Sequence, residues 1–223
     1  MIVLIAPHTV APGQMEAADR MARITGESAR AAPGFIGRLV MQQADNPHAV
    51  WSLACWANRA AFENWLKIRT LPWTTDDLHR VYEQGALVQE AEMFALTGHQ
   101  GNYFNVDPPA GAVLGGSVAS LPYSVVAPHI IDPTPESMCL AAEMIYEVGE
   151  SARRAPGFLG RMVLQSNRAS NRIWSVSSWA SRKDFENWVP ARKFWWTLDD
   201  VKRVFPQGAL VEDAKQMYVL AHQ

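Results

Sequence analysis

The 223-residue chain has only two cysteines, no long apolar run and no marked excess of charge of either sign. Cys55 and Cys139 sit in unrelated contexts, so no disulfide framework is implied, and both read as buried free thiols of a reducing cytoplasm. The longest apolar runs fall far short of the ~20 residues that a membrane span requires. Residues 1–10 lack a basic leader and are too short for a secretory signal, so they read as a first strand. With 20 basic against 22 acidic residues, no basic block offers a nucleic-acid footprint. The histidines lack ligand spacing, and there is no His-Glu-x-x-His, Cys-x-x-Cys, phosphate-loop, Gly-x-Gly-x-x-Gly or Gly-x-Ser-x-Gly pattern. A metal centre, a nucleotide and a serine hydrolase therefore find no support.

What the chain has is aromatic surface and a repetition. Apolar residues make up 48%, enough for a core, and the 9 Trp are many for this length. Residues 27–100 align with 150–223 at one constant offset and without a gap, and about half the positions are identical. ESAR, APGF, FENW and QGALV occur in both, and IAPH near the start answers VAPH in the second half. The chain is a tandem duplication of a unit of about 100 residues. Residues 1–100 form repeat 1, 101–122 a Pro-, Gly- and Ala-rich linker crossing the surface, and 123–223 repeat 2.

Within one copy, residues 2–10 are apolar and β-branched, as a strand requires. Residues 15–31 carry apolar positions at helical spacing until Ala32-Pro33-Gly34 stops them. Two strands follow, over 35–43 and 50–57, joined by a turn. Asn58, or Ser181 in the second copy, can cap the next helix, which puts Phe62, Trp65 and Leu66 on one face. Thr75-Asp76-Asp77 opens a short helix that Gly85 ends, and 86–97 reads as a last strand. The order is that of a ferredoxin-like split βαβ unit, an antiparallel sheet with helices on one face. The bare face of each sheet needs a cover, since exposed apolar area costs ~25 cal/mol per Å2. The expected fold is therefore α+β: two tandem ferredoxin-like (βαββαβ) repeats packed sheet to sheet as an intramolecular pseudo-dimeric α+β barrel.

The Pro12-Gly13-Gln14 turn, the Ala-Pro-Gly-Phe-x-Gly-Arg strand entry and a Trp-x(4)-Trp strand leading into Phe-Glu-Asn-Trp resemble the antibiotic biosynthesis monooxygenase superfamily. The resemblance covers both halves. It implies oxygen chemistry on electron-rich aromatics: oxidation of a polycyclic, polyketide-type phenol, anthrone or quinol with O2 in secondary-metabolite tailoring. Fused members include ring-opening oxygenases of angucycline biosynthesis, so reduced flavin, FMN or FAD, is an open cosubstrate, with no cofactor held tightly. The same family places an Asn and a Trp over the substrate, here Asn64 and Trp65 and, in the second half, Asn187 and Trp188. Its haem-degrading branch needs an iron-ligating His about ten residues after that Trp. Thr75 and Leu198 stand there, so neither haem nor another metal is expected.

Oxidation by O2 begins with electron donation from an ionised phenol or carbanion, so the site must take a proton and steady an oxyanion in a dry pocket. His8 and His129 end the first strand of each copy and suit the proton, although each could equally be a hydrogen-bonded turn residue. Trp56, Trp73, Trp179 and Trp196 are candidate substrate walls. Arg38 and Arg161 share a strand face with Gln42 and Gln165, as a pocket wall or, the favoured reading, a salt-bridged seam between sheets. The Phe194-Trp195-Trp196 run, facing Leu71-Pro72-Trp73 in the first copy, is expected to narrow or fill the second cavity, which tips the choice of active half slightly toward the first. The expected partners are a small aromatic substrate and O2, with no nucleic acid or membrane, and the chain acts as a monomer with an internal pseudo-dimer or as a homodimer. Two other functions use the same fold: a non-catalytic aromatic-ligand-binding barrel, and a non-redox cyclase or isomerase.

Overall fold

The computed structural model describes residues 1–84, 91–101, 106, 108–207 and 214–222. They form two compact α+β units, one of Met1–Phe94, Asp107–Leu121 and Met217–Gln223, the other of Ala95–Val106 and Pro122–Gln216.

The first unit follows the expected order: β1 (Ile2–Val10), α1 (Met15–Arg30), β2 (Phe35–Gln43), β3 (Ala49–Trp56), α2 (Arg59–Ile68), α3 (Thr75–Val81) and β4 (Tyr82–Gln84). β1 lies antiparallel to β3, Ile2 opposite Trp56 and Thr9 opposite Ala49, and its end meets β4. β3 pairs in turn with β2. The free edge of β2 is taken by β9 (Lys215–His222), the last strand of the second repeat, with Leu39 opposite His222 and Gln43 opposite Met217.

The second unit repeats the plan with β6 (Tyr123–Ile130), α4 (Pro135–Arg153), β7 (Phe158–Ser166), β8 (Arg172–Trp179), α5 (Arg182–Ala191) and α6 (Leu198–Val204). β8 sits between β6 and β7. The outer edge of β7 is filled by β5 (Glu92–Gly101), the last strand of the first repeat. The Thr97 hydroxyl donates to the Val163 carbonyl at 3.1 Å. Each repeat thus completes the other's sheet with its closing strand, and the compact units do not follow chain order. That strand covers Glu92–Gly101 and so runs past the expected end at Thr97; residues 85–90, with the expected stop at Gly85 and the expected strand start at 86, lie outside the described residues.

Short-range signals fix the helices that bear on the site. Asn58 accepts the Ala61 N–H at 2.9 Å and Ser181 that of Asp184 at 3.2 Å. Thr74 with Asp77, and Thr197 with Asp200, form reciprocal capping boxes. The turn into β2 places Gly34 at φ 82°, and a Cβ there would stand 2.7 Å from the Ala61 Cβ, so α2 can approach only a glycine. With α2 and α5 so placed, Phe62 and Trp65, and Phe185 and Trp188, are buried against their sheets.

The segment between the repeats is tied down rather than merely crossing the surface. Leu114 and Leu121 enter a core cluster with Val10, Ala18, Met21 and Leu220. Asp19 accepts the Leu114 N–H at 3.1 Å, Gln42 that of Gly115 at 2.8 Å, and Arg23 donates to the Ala112 carbonyl at 3.0 Å. Among the described residues no helix is long and apolar enough to cross a membrane.

Candidate functional site

Each unit holds a cavity between its own sheet and its own helices. The first unit's cavity has a volume of about 150 Å3, the second's about 200 Å3. An apolar cavity of about 150 Å3 accepts a benzene ring, so both are of aromatic size and the second has the more room.

Most of the candidate residues converge on these two places. His8, Arg38, Trp56, Trp65 and Trp73 line the first; His129, Arg161, Trp188 and Trp196 line the second. Three do not. Asn64 and Asn187 lie on the exposed face of α2 and α5, one residue off the buried stripe; Asn187 instead borders a groove of about 310 Å3 with Ser151 and Arg154. Trp179 is fully buried behind Trp188, their rings 5.2 Å apart, and its indole N–H is taken up by Ser177 at 3.3 Å.

The aromatic wall is built the same way twice. Trp56 and Trp65 have ring centroids 5.3 Å apart, matching the Trp179–Trp188 pair. The Trp65 N–H donates to Ser28 and the Trp188 N–H to Ser151, both at 3.1 Å, which fixes each indole plane. Arg69 lies 4.7 Å over the Trp65 ring and Arg192 5.2 Å over that of Trp188. Both arginines line the cavities. The sequence reading missed them, although Arg follows the Phe-Glu-Asn-Trp helix at the same place in both copies.

The expected narrowing of the second cavity by Phe194-Trp195-Trp196 is overturned, because the three rings divide. Phe194 and Trp196 stack face to face, centroids 4.3 Å apart and planes 11° from parallel, as one wall; Trp195 turns outward and is 60% exposed.

Arg38 and Arg161 line the cavities; the favoured salt-bridged seam gives way to the pocket wall. Each extends along its sheet face onto two neutral acceptors. Arg38 Nε donates to the Ser52 hydroxyl and Nη1 to the Ala22 carbonyl; Arg161 does the same to Ser175 and to the Ile145 carbonyl, all four at 2.7 Å. Arg38 is 6% exposed and Arg161 3%. Burial disfavours the charged form and pulls both down to about 10, still cationic at neutral pH. No carboxylate among the described residues forms an ion pair with Arg161. The serines, Ser52 and Ser175, are the other group that sequence reasoning passed over; their signal was identity between the copies on the strand beside the arginine.

His129 stands on the same wall as Arg161. Burial, and then the Arg161 cation, push its imidazole down to about 4, so it is neutral at pH 7. Its buried Nδ1 has no hydrogen-bond partner among the described residues. The repeats differ beside it: His8 packs on Tyr82 at 5.2 Å, whereas His129 packs on Phe205 at 5.5 Å.

The depressed His129 has a consequence for stability. An unfolded chain protonates this imidazole near 6.5 and the folded chain only near 4, so the unfolded state binds the extra proton between those values. The contribution is fully present above about 6.5 and is lost as pH falls to about 4; by linkage it amounts to about 3 kcal/mol. Denaturant unfolding at pH 7, 5.5 and 4 should show this loss in the parent and a flatter profile in His129→Gln. Parallel profiles would mean that His129 titrates normally.

The family model described as antibiotic biosynthesis monooxygenase matches residues 1–69 and 131–194, more than half of the chain. The chain belongs to the antibiotic biosynthesis monooxygenase family. No curated protein matches the sequence. Among solved structures, one provisionally called a monooxygenase from Fusobacterium nucleatum has a TM-score of 0.74 at 13% identity, over 100% of this chain and 93% of that one. A second provisional monooxygenase, from Lactobacillus acidophilus, has a TM-score of 0.61 at 9% identity, over 99% and 93%. An anthrone oxidase-like protein has a TM-score of 0.57 at 16% identity, over 100% and 92%. At these identities the likeness is one of fold alone.

Among the described residues no group of three or more His, Cys, Asp or Glu side chains could hold a metal ion. Thr75 and Leu198, where the haem-degrading branch carries its ligand, open α3 and α6, and Leu198 is exposed.

Proposed function

We propose that this family member is an oxygenase that oxidises a fused-ring phenol, anthrone or quinol with O2, with the second unit's cavity as the working site. The observation that carries the reading is the pairing of a neutral imidazole, His129, with a buried guanidinium, Arg161, on the wall of a cavity lined mostly by aromatic and aliphatic side chains. The site has a proton acceptor and a fixed positive charge on a largely apolar wall, which is what electron donation to O2 demands.

For an anthrone the steps balance as follows. His129, through Nδ1, takes a proton from the substrate and leaves an anion whose oxygen faces Arg161. One electron passes to O2, giving superoxide and a substrate radical, which combine to form a C–O bond. The resulting peroxide takes up the proton from the imidazolium. Loss of the second C–H proton with cleavage of the O–O bond then gives the carbonyl and water: CH2 + O2 → C=O + H2O. A quinol passes two electrons and two protons to O2 and leaves as quinone and H2O2. The anion also answers the Arg161 charge, which raises the basicity of His129 at the moment it must hold the proton. Trp188 and the stacked Phe194 and Trp196 hold the flat ring system against the sheet.

A substrate that donates its own electrons to O2 needs no reduced flavin. The reaction is therefore written with substrate and O2 as its only redox partners. Oxygen uptake with an anthrone or a hydroquinone, with and without reduced FMN or FAD, tests the reading. Uptake above the uncatalysed rate without flavin is expected. Product formed without oxygen consumption would instead favour a cyclase or isomerase.

A further inference from the structure

The two cavities share their aromatic wall but not their polar equipment. In the first, Tyr82 lines the cavity with a phenol whose hydroxyl donates to the Ala18 carbonyl at 3.3 Å. Trp56 lines that cavity as well, with its buried indole N–H unpartnered among the described residues, a donor suited to a neutral carbonyl. In the second cavity Phe205 replaces Tyr82, and Trp179, which is not among the lining residues, already gives its N–H to Ser177. What remains there is Arg161. A guanidinium has five N–H donors; two of those of Arg161 are spent, on Ser175 and on the Ile145 carbonyl. Arg161 lines the cavity together with Arg192, Ser175, Ser177 and an imidazole whose buried nitrogen is unpartnered among the described residues.

A buried cation without a carboxylate is costly unless something of opposite charge arrives to meet it. We infer that the second unit's cavity selects a flat aromatic bearing an ionised oxygen, a carboxylate or phenolate that pairs with Arg161, and that Phe205 makes this cavity, unlike the first, anion-selective. Phe205 acts by omission: it leaves the second cavity without the hydroxyl that Tyr82 brings to the first, so an ionised oxygen meets the guanidinium with no phenol in its way. The planar fork of Arg161 matches two oxygens of a carboxylate at once, which a lysine could not. The inference deepens the proposed function by fixing the charge of its ligand, but it concerns binding alone.

The test uses probes that the proposed oxidation cannot consume. 2-Naphthoate and 2-acetonaphthone have the same fused rings and nearly the same outline, one anionic and one neutral. Calorimetric titration of the full chain at pH 7.5 should show naphthoate binding at least tenfold more tightly than the ketone, at one site per chain. Arg161→Gln should abolish that preference, Arg161→Lys should retain only part of it, and Phe205→Tyr should reduce it several-fold. Equal affinity for the two probes, two equivalent naphthoate sites per chain, or a preference that survives Arg161→Gln would overturn the inference. Should Arg161→Gln fail to fold, Phe205→Tyr decides alone, and an unchanged preference overturns it. A chain that prefers naphthoate yet consumes no oxygen with phenols keeps this inference and loses the proposed reaction.

Discussion

His129→Gln should oxidise the phenolic substrate about 10²- to 10⁴-fold more slowly than the parent while binding it nearly as well. General acid–base catalysis by one positioned side chain is worth about that much. Glutamine keeps polarity and approximate size but can neither accept nor return a proton. The imidazole is neutral at pH 7, so the parent starts in the form that accepts. Single-turnover measurements under saturating substrate separate the two effects. Lost affinity with unchanged turnover would describe a carrier, and a loss of less than twofold would move the working site to the cavity of His8.

Trp179→Ala should destabilise the second unit by about 3–5 kcal/mol, the range for removing a large buried aromatic. Trp179 is fully buried, with Phe158 at 5.3 Å, Phe185 at 5.8 Å and Trp188 at 5.2 Å between centroids. Against the ~5–15 kcal/mol of a whole domain that loss is large. The neighbouring Trp188→Ala should chiefly lose ligand, because that ring faces the cavity whereas Trp179 stands behind it. Denaturant midpoints for both variants, followed by circular dichroism, check the difference. A cost below about 1 kcal/mol for Trp179→Ala would mean that the ring stack is not the support of the site.

The repeat made much of this legible. A constant offset without gaps doubled every local signal, so helices, caps and the Phe-Glu-Asn-Trp face could be read twice. Period-2 alternation put Arg38 and Arg161 on the right strand face but could not say what lay across it. That depends on α1 and α4, whose carbonyls at Ala22 and Ile145 receive the guanidinia. The exchange of β5 and β9 was illegible for a related reason. A closing strand has the same alternation whichever sheet it joins, and only its pairing partner, β7 or β2, distinguishes the two. Asn64 and Asn187 came from the family pattern, and the helix turns them to solvent where a stripe one residue over would have turned them inward. The Phe194-Trp195-Trp196 run misled because ring count was taken for ring direction.

The central claim is that the second unit's own sheet and helices, His129 and Arg161 among them, enclose the substrate. A crystal structure of the chain with a bound fused-ring phenol tests it most directly. The account predicts the rings between Trp188 and the sheet, with the substrate oxygen within hydrogen-bond distance of Arg161 and reach of His129. A ligand held elsewhere, with that cavity filled by side chains, would contradict it.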